Sequence, residues 1–297
     1  MTAPLVMAMP GNEALAAGLA ATLGAERAAL ETRRFPDGET YLRLLDEPRG
    51  RSLAIVCTLA RPDEKVLPLV FAAATARELG ATRVGLVAPY LAYMRQDRRF
   101  RSGEAVTSRP FARLLSETFD WLVTVDPHLH RYGALGEIYR IPTRVVHAAP
   151  LISAWIEANV AEPLVIGPDR ESEQWVSAVA AAAAAPWSVL EKVRHGDRDV
   201  EIRFEDLGAW RGRTPVLVDD IISSGRTMIA AVRRLAEAGF AAPVCIAVHG
   251  LFADASDRLL AEAGARVVTT DTVPHATNQV SVAPLVAEAL RAVAASA

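Results

Sequence analysis

Short apolar runs rich in β-branched residues alternate with longer stretches of helical periodicity along the whole chain, and this alternation most limits the fold. A strand that reaches its parallel neighbour through a helical crossover leaves that helix lying on a sheet face, so the repeated pattern calls for parallel sheets covered by helices. In the first half, strands are expected near Leu5 to Met9, Leu53 to Leu59, Arg83 to Ala88 and Trp121 to Asp126. Helical patterns lie between them over Asn12 to Leu23, Pro62 to Leu79 and Thr107 to Thr118. The second half repeats the scheme, with PLVIGPD, WSVLEK, VEIRF, PVLVDDII, PVCIAVHGL and ARVVTTDTV as strands. The expected class is α/β, with two similar domains, each a mostly parallel sheet flanked by helices. The Pro-containing RIPTRVVHAAP marks a boundary near Pro142 to Ala149, giving domains 1–146 and 147–297, with the final helix free to pack back on the first. The residue similarity between halves is too weak to establish a repeat.

Composition narrows the partners. At 297 residues, two cores are comfortable. A net charge of −3 from nearly balanced acids and bases argues against a nucleic-acid surface or a polybasic membrane patch, leaving small molecules. The amino terminus lacks a basic region ahead of its short apolar run, and the uncharged stretch from Val176 to Leu190 is too short to span a bilayer. Cys57 and Cys245 sit inside apolar runs and read as buried reduced thiols, so the cytoplasm is the expected compartment.

In open parallel sheets, ligands gather beyond the carboxyl ends of strands. Four such ends are polar: Tyr90 to Arg98, Asp126 to His130, Gly167 to Glu173, and the stretch VLVDDIISSGRTM from Val216 to Met228. In the last, Val216 to Val218 reads as buried strand and Ser223 to Thr227 as a turn into the helix TMIAAVRRLAEAG. Amides and hydroxyls at a helix start bind phosphate. The adjacent carboxylates of Asp219 and Asp220 suit the paired hydroxyls of a sugar, at roughly 1.5 to 3 kcal/mol per charge-assisted bond. An ordinary helix cap would explain a serine but not two acids after a buried strand.

That stretch resembles the ribose-phosphate loop of the phosphoribosyltransferase-like fold. RRFPDGETYLRL, YLAYMRQDRRFRSGEAVTSRPFARLL, TVDPHLHRY, LEKVRHGDRDVEI and HATNQVSVAPLVAEAL further resemble the ribose-phosphate pyrophosphokinases, in the right order over nearly the whole chain. The resemblance implies transfer of the β,γ-diphosphoryl group of Mg-ATP to the anomeric hydroxyl of ribose 5-phosphate, giving phosphoribosyl pyrophosphate (PRPP) and AMP. By the same resemblance Asp219 and Asp220 hold the ribose hydroxyls, and Ser223, Ser224, Gly225, Arg226 and Thr227 cradle its phosphate. Arg95, Gln96 and Asp97 match an ATP-contacting run, which taken alone would pass for a solvated loop. Phe35, Asp37 and Glu39 match a segment that reaches the adenine from a neighbouring subunit, implying a homo-oligomer built from dimers; by itself PDG is a turn.

His128 and Asp169 match contacts to ATP-bound magnesium, which takes few protein ligands beside waters and phosphate oxygens. A lone strand-end histidine is otherwise more often structural, and His130 has no assigned role. Lys192 and Arg194 match the catalytic basic pair at the start of a loop, where positive charge offsets charge developing in the transition state. An exposed hairpin with solvated charges is the plain reading of those two residues. Lys65 and Lys192 are the only lysines in the chain.

Three positions depart from the pattern: Ser223 stands where an acid is common, Arg226 where glycine is common, and Glu171-Ser172-Glu173 where paired glycines are common. Arg226 requires an ordinary φ. Ser172 either caps a helix with both acids turned away, or the ATP phosphates sit differently. Two other functions fit part of the pattern: a PRPP-consuming phosphoribosyltransferase, and a non-catalytic regulator associated with the synthetase.

Overall fold

A computed structural model describes residues 3–168, 172–195, 199–203 and 207–295. The chain divides into two compact units, one of Met1–His147 with Thr272–Pro274 and Val282–Ala297, the other of Ala148–Asp271 with His275–Ser281.

The first unit runs β1 (Leu5–Ala8), α1 (Glu13–Leu23), β2 (Arg27–Ala28), β3 (Leu30–Arg34), β4 (Thr40–Leu44), β5 (Ser52–Val56), α2 (Val66–Glu78), β6 (Arg83–Ala88), α3 (Ser108–Thr118), β7 (Leu122–Val125) and β8 (Thr143–Val146). Six of these strands form a parallel sheet in the order β2-β1-β5-β6-β7-β8, and β3 pairs antiparallel with β4 as a separate hairpin. The central strands are buried almost end to end, as continuous apolar runs covered on both faces should be. Helix α1 stops at Gly24, whose left-handed φ of 61° lets its amide reach the Ala20 and Ala21 carbonyls. A Cβ on Gly85 would lie 1.8 Å from the Trp121 ring, so β6 accepts only glycine there.

The second unit runs α4 (Ala149–Asn159), β9 (Pro163–Gly167), α5 (Glu173–Ala182), β10 (Trp187–Val189), β11 (Glu191–His195), β12 (Asp199–Arg203), β13 (Thr214–Ile222), α6 (Arg226–Glu237), β14 (Val244–Gly250), α7 (Ser256–Glu262), β15 (Arg266–Thr270) and β16 (Asn278–Val280), before α8 (Ala283–Ala295) returns to the first unit. Its sheet is also parallel, in the order β10-β9-β13-β14-β15-β16, with β11 and β12 as a separate antiparallel hairpin. Helix α6 buries Met228, Ile229, Ala231, Val232 and Leu235, the i, i+3, i+4 spacing of one helical face. Each large side chain so buried contributes about 1.5–3 kcal/mol. Counted by chain order within each unit, both sheets read 2-1-3-4-5-6, and both units place their hairpin between the second and third of these strands.

Several local expectations change. The pattern over Pro62 to Leu79 is not one helix but a 3-10 turn at Pro62–Glu64 followed by α2. Pro68 is the reason: it has no N–H for the Glu64 carbonyl and its ring would strike that carbonyl in a continuous helix. VEIRF joins the β11–β12 hairpin instead of the main sheet. The units divide after His147, inside the expected Pro142 to Ala149 stretch, and Thr143–Val146 within that stretch forms the edge strand β8 of the first sheet.

Candidate functional site

In the second unit, β13 extends to Ile222, where the expected strand PVLVDDII ends, carrying Asp219 opposite Ala247 and Ile221 opposite His249 of β14. Pro215 to Val218 are buried, whereas Asp219, Asp220 and Ile221 are half-buried where the strand emerges. The Asp219 Oδ1 accepts a 2.9 Å hydrogen bond from the Asp220 amide. Ser223 and Ser224 follow, and Gly225 takes a left-handed φ of 65°. That single residue makes the turn, so Arg226 is already the first residue of α6 and has no need of glycine's freedom. Arg226 and Thr227, expected in the turn, are therefore helical. The Ile229 amide bonds the Gly225 carbonyl at 2.8 Å, and the three preceding amides, of Arg226, Thr227 and Met228, have no acceptor within the helix. They face the amino end of the helix, where its dipole favours an anion.

A residue far along the chain fixes this loop. Ser256, fully buried at the start of α7, donates from Oγ to the Ser223 carbonyl at 2.6 Å. Its Cβ stands 3.0 Å from where a Cβ on Gly225 would lie. Nothing in the sequence marked Ser256, because the contact depends on α7 packing beside α6.

At the end of β9, a Cβ on Gly167 would fall 2.5 Å from Ser172 Oγ and 2.8 Å from Val176. Ser172 occupies the N-cap position of α5 without making a capping hydrogen bond. Asp169 and Glu171 lie outside the described residues. Lys192 and Arg194 stand on β11, paired with Ile202 and Val200 of β12, and β12 packs against α6.

In the first unit, Arg95, Gln96 and Asp97 follow β6, and His128 follows the adjacent strand β7, so both groups leave the sheet at the same edge. Arg95 and Gln96 are exposed, and Gln96 accepts from the Thr107 hydroxyl. The side chain of Asp97 is 2% exposed and takes hydrogen bonds of 2.8 and 2.9 Å from Arg131 Nη1 to its two oxygens. This pair ties the loop after β6 to the loop carrying His128. The His128 and His130 rings lie 3.9 Å apart between centroids. Asp126, just before them, has a φ of 34°, a conformation rarely adopted by residues other than glycine, and its Oδ1 accepts a hydrogen bond from His147 Nδ1 at 2.8 Å. That hydrogen bond raises the His147 pKa above its ordinary value, against the lowering effect of burial.

Phe35 caps the β3–β4 hairpin, 38% exposed and edge-on to Tyr41, with the Arg33 guanidinium 4.4 Å from both ring centroids. The Gly38 amide bonds the Phe35 carbonyl and Asp37 accepts from the Glu39 amide, which closes the tip and leaves both acids exposed.

As for magnesium, the candidate donors on the β7 loop are imidazoles, whereas this hard cation prefers oxygen. Such a set fits only where ATP phosphates and waters supply most of the ligands and one imidazole adds to them.

Known proteins bear on these features. Residues 5–118 match the model of the N-terminal domain of ribose phosphate pyrophosphokinase, and residues 134–285 match that of the phosphoribosyl transferase domain. A ribose-phosphate pyrophosphokinase of Methanopyrus kandleri is 39% identical over 290 residues, covering 96% of this chain and 98% of its own. Another from Methanothermobacter thermautotrophicus is 35% identical, covering 97% and 100%. The crystal structure of phosphoribosylpyrophosphate synthetase from Mycobacterium smegmatis superposes with a TM-score of 0.85 at 25% identity over the whole of both chains.

Proposed function

Since the chain belongs to the ribose-phosphate pyrophosphokinase family, we propose that it transfers the β,γ-diphosphoryl group of ATP to the anomeric hydroxyl of ribose 5-phosphate, releasing AMP. The observation that carries this reading is the strand-to-helix turn in which Asp219 and Asp220 precede Gly225 and the first amides of α6, which have no acceptor within the helix.

The two carboxylates accept hydrogen bonds from the ribose hydroxyls, and the amides of Arg226, Thr227 and Met228, with the hydroxyls of Ser223, Ser224 and Thr227, hold the 5-phosphate. With the sugar anchored at both ends, its anomeric hydroxyl attacks the β-phosphorus in line and gives up its proton to solvent, and the bond from that phosphorus to the α,β-bridging oxygen breaks as AMP leaves. Fixing both reactants in this way is worth roughly 7 to 11 kcal/mol of barrier. Lys192 and Arg194 neutralise charge that builds on the transferring oxygens. Arg95 and Gln96 contact the ATP, and Asp97 holds that loop through Arg131. Phe35 stacks on the adenine of a neighbouring subunit, with Asp37 and Glu39 beside it, in a homo-oligomer built from dimers; the exposed aromatic on a free-standing hairpin supports this. Mg2+ bound to the ATP phosphates, with His128 and Asp169 as its protein ligands, would spread the charge of the polyphosphate. The two cysteines are buried with thiols pushed up to about 12, and among the described residues no helix is long and apolar enough to cross a membrane; both support a cytoplasmic enzyme.

Incubating the purified protein with ATP, Mg2+ and ribose 5-phosphate should yield AMP and PRPP in equal amounts. Consumption of PRPP together with a base, with no AMP formed from ATP, would show a phosphoribosyltransferase instead.

A further inference from the structure

Both sheets have one point where the strand order reverses, between the first and third strands of the unit, and crevices at such points are where open α/β sheets take ligands. In the second unit this point lies between β9 and β13, beside the Asp219–Thr227 turn. In the first unit it lies between β1 and β5, and just past the carboxyl ends of those strands is a cavity of about 230 Å3. Met9, Pro10 and Cys57 line it from the strand ends, Arg33 and Arg34 from β3, and Lys65 from the break before α2.

The cavity is firmly built. Asn12 is buried, donates to the Met9 and Pro10 carbonyls at 3.1 and 3.2 Å, and accepts from the Thr58 amide at 2.7 Å. Lys65 is half-buried and its Nζ donates to the Thr58 carbonyl at 2.9 Å, its one hydrogen bond among the described residues. Burial lowers the Lys65 pKa from its ordinary value; Cys57 and Glu64 oppose that effect, and Arg61 adds to it. The Cys57 thiol, pushed up to about 12, stays protonated and does not compete as a nucleophile. Glu64 also lines the cavity but forms no ion pair with Lys65 among the described residues.

We propose that this cavity is a covalent modification site, in which Lys65 takes an acyl group from a small acyl phosphate whose phosphate end is held by Arg34. The Nζ lone pair attacks the acyl carbon, the bond from that carbon to the phosphate oxygen breaks, inorganic phosphate leaves, and the amine releases a proton to solvent. The product is a neutral amide. Because α2 packs against β4, the added group sits beneath the hairpin that bears Phe35.

The chain has only Lys65 and Lys192 as lysines, so the reaction maps cleanly onto two peptides. With acetyl phosphate as the probe and peptide mass spectrometry as the readout, Lys65 of the folded protein should be acetylated about tenfold faster than Lys65 of the chain unfolded in urea, through a larger free-amine fraction and phosphate capture. Arg34→Gln should slow the reaction with acetyl phosphate and leave that with uncharged p-nitrophenyl acetate unchanged. Equal rates in the folded and unfolded chain would overturn the proposal. So would an Arg34→Gln variant that reacts like the parent with both reagents or is slowed equally with both.

Discussion

The hydroxyl of Ser256 donates a 2.6 Å hydrogen bond to the carbonyl oxygen of Ser223. Through it, a residue outside the motif holds the backbone of the turn on which the phosphate is proposed to rest. Ser256→Ala removes this bond at a cost of about 1 kcal/mol. The expected outcome in steady-state kinetics is a several-fold higher KM for ribose 5-phosphate with kcat and the KM for ATP little changed. A lower melting temperature with unchanged KM would mean that the bond serves only packing.

Gly225→Ala should be worse. The substitution keeps a left-handed φ that costs a residue with a side chain about 1–2 kcal/mol, and it drives a methyl group against Ser256. Urea unfolding should show at least that loss, and ribose 5-phosphate binding by calorimetry should weaken more than in Ser256→Ala.

Arg131→Ala leaves the buried Asp97 carboxylate without its partner. Full burial of both groups would make this cost about 3–5 kcal/mol, but Arg131 is 42% exposed, so about 2 kcal/mol is expected in urea unfolding. The double variant Arg131→Ala/Asp97→Asn should recover part of the loss, since it removes the stranded charge.

His147 gives a pH signature. Its folded pKa is raised above its ordinary value of 6.5, so its contribution to stability is fully present below 6.5 and is lost as pH rises through the folded value. The effect is small because the imidazole is 72% exposed. The urea midpoint of the parent should exceed that of His147→Gln on the acid side, with the gap closing as pH rises; a gap independent of pH would refute the charged pair.

Lys192→Ala should lower kcat far more than it weakens ribose 5-phosphate binding, as expected of a group acting in the transition state. Equal losses in kcat and in affinity measured by calorimetry would contradict that role.

The sequence carries the parallel α/β architecture well, because strands buried on both faces must be apolar throughout and the helices between them need periodic faces. The turn from Asp219 to Arg226 is legible for the same local reason, since acids, serines and a glycine follow a buried strand. What the sequence hides is whatever depends on distant packing. Arg131 finds Asp97 only because β6 and β7 are neighbours in the sheet, and Ser256 meets Ser223 only once α7 lies beside α6. The two-residue strand β2 is too short to carry a period, and β8 reads only as part of a domain boundary because its edge position leaves it partly polar. Pro68 could have revealed the break before α2 had its missing N–H been weighed against the apolar periodicity around it.

Helix α8 lies on α1, with Ala283 Cβ 3.3 Å from where a Cβ on Gly18 would stand and Arg291 donating to the Thr22 carbonyl at 2.6 Å. On the ribosome, the first half to emerge therefore waits for the last helix to be translated. Until then the flank of α1 is bare, open to chaperones or to self-association, and nascent chains stalled before residue 283 should be the aggregation-prone species in the cell.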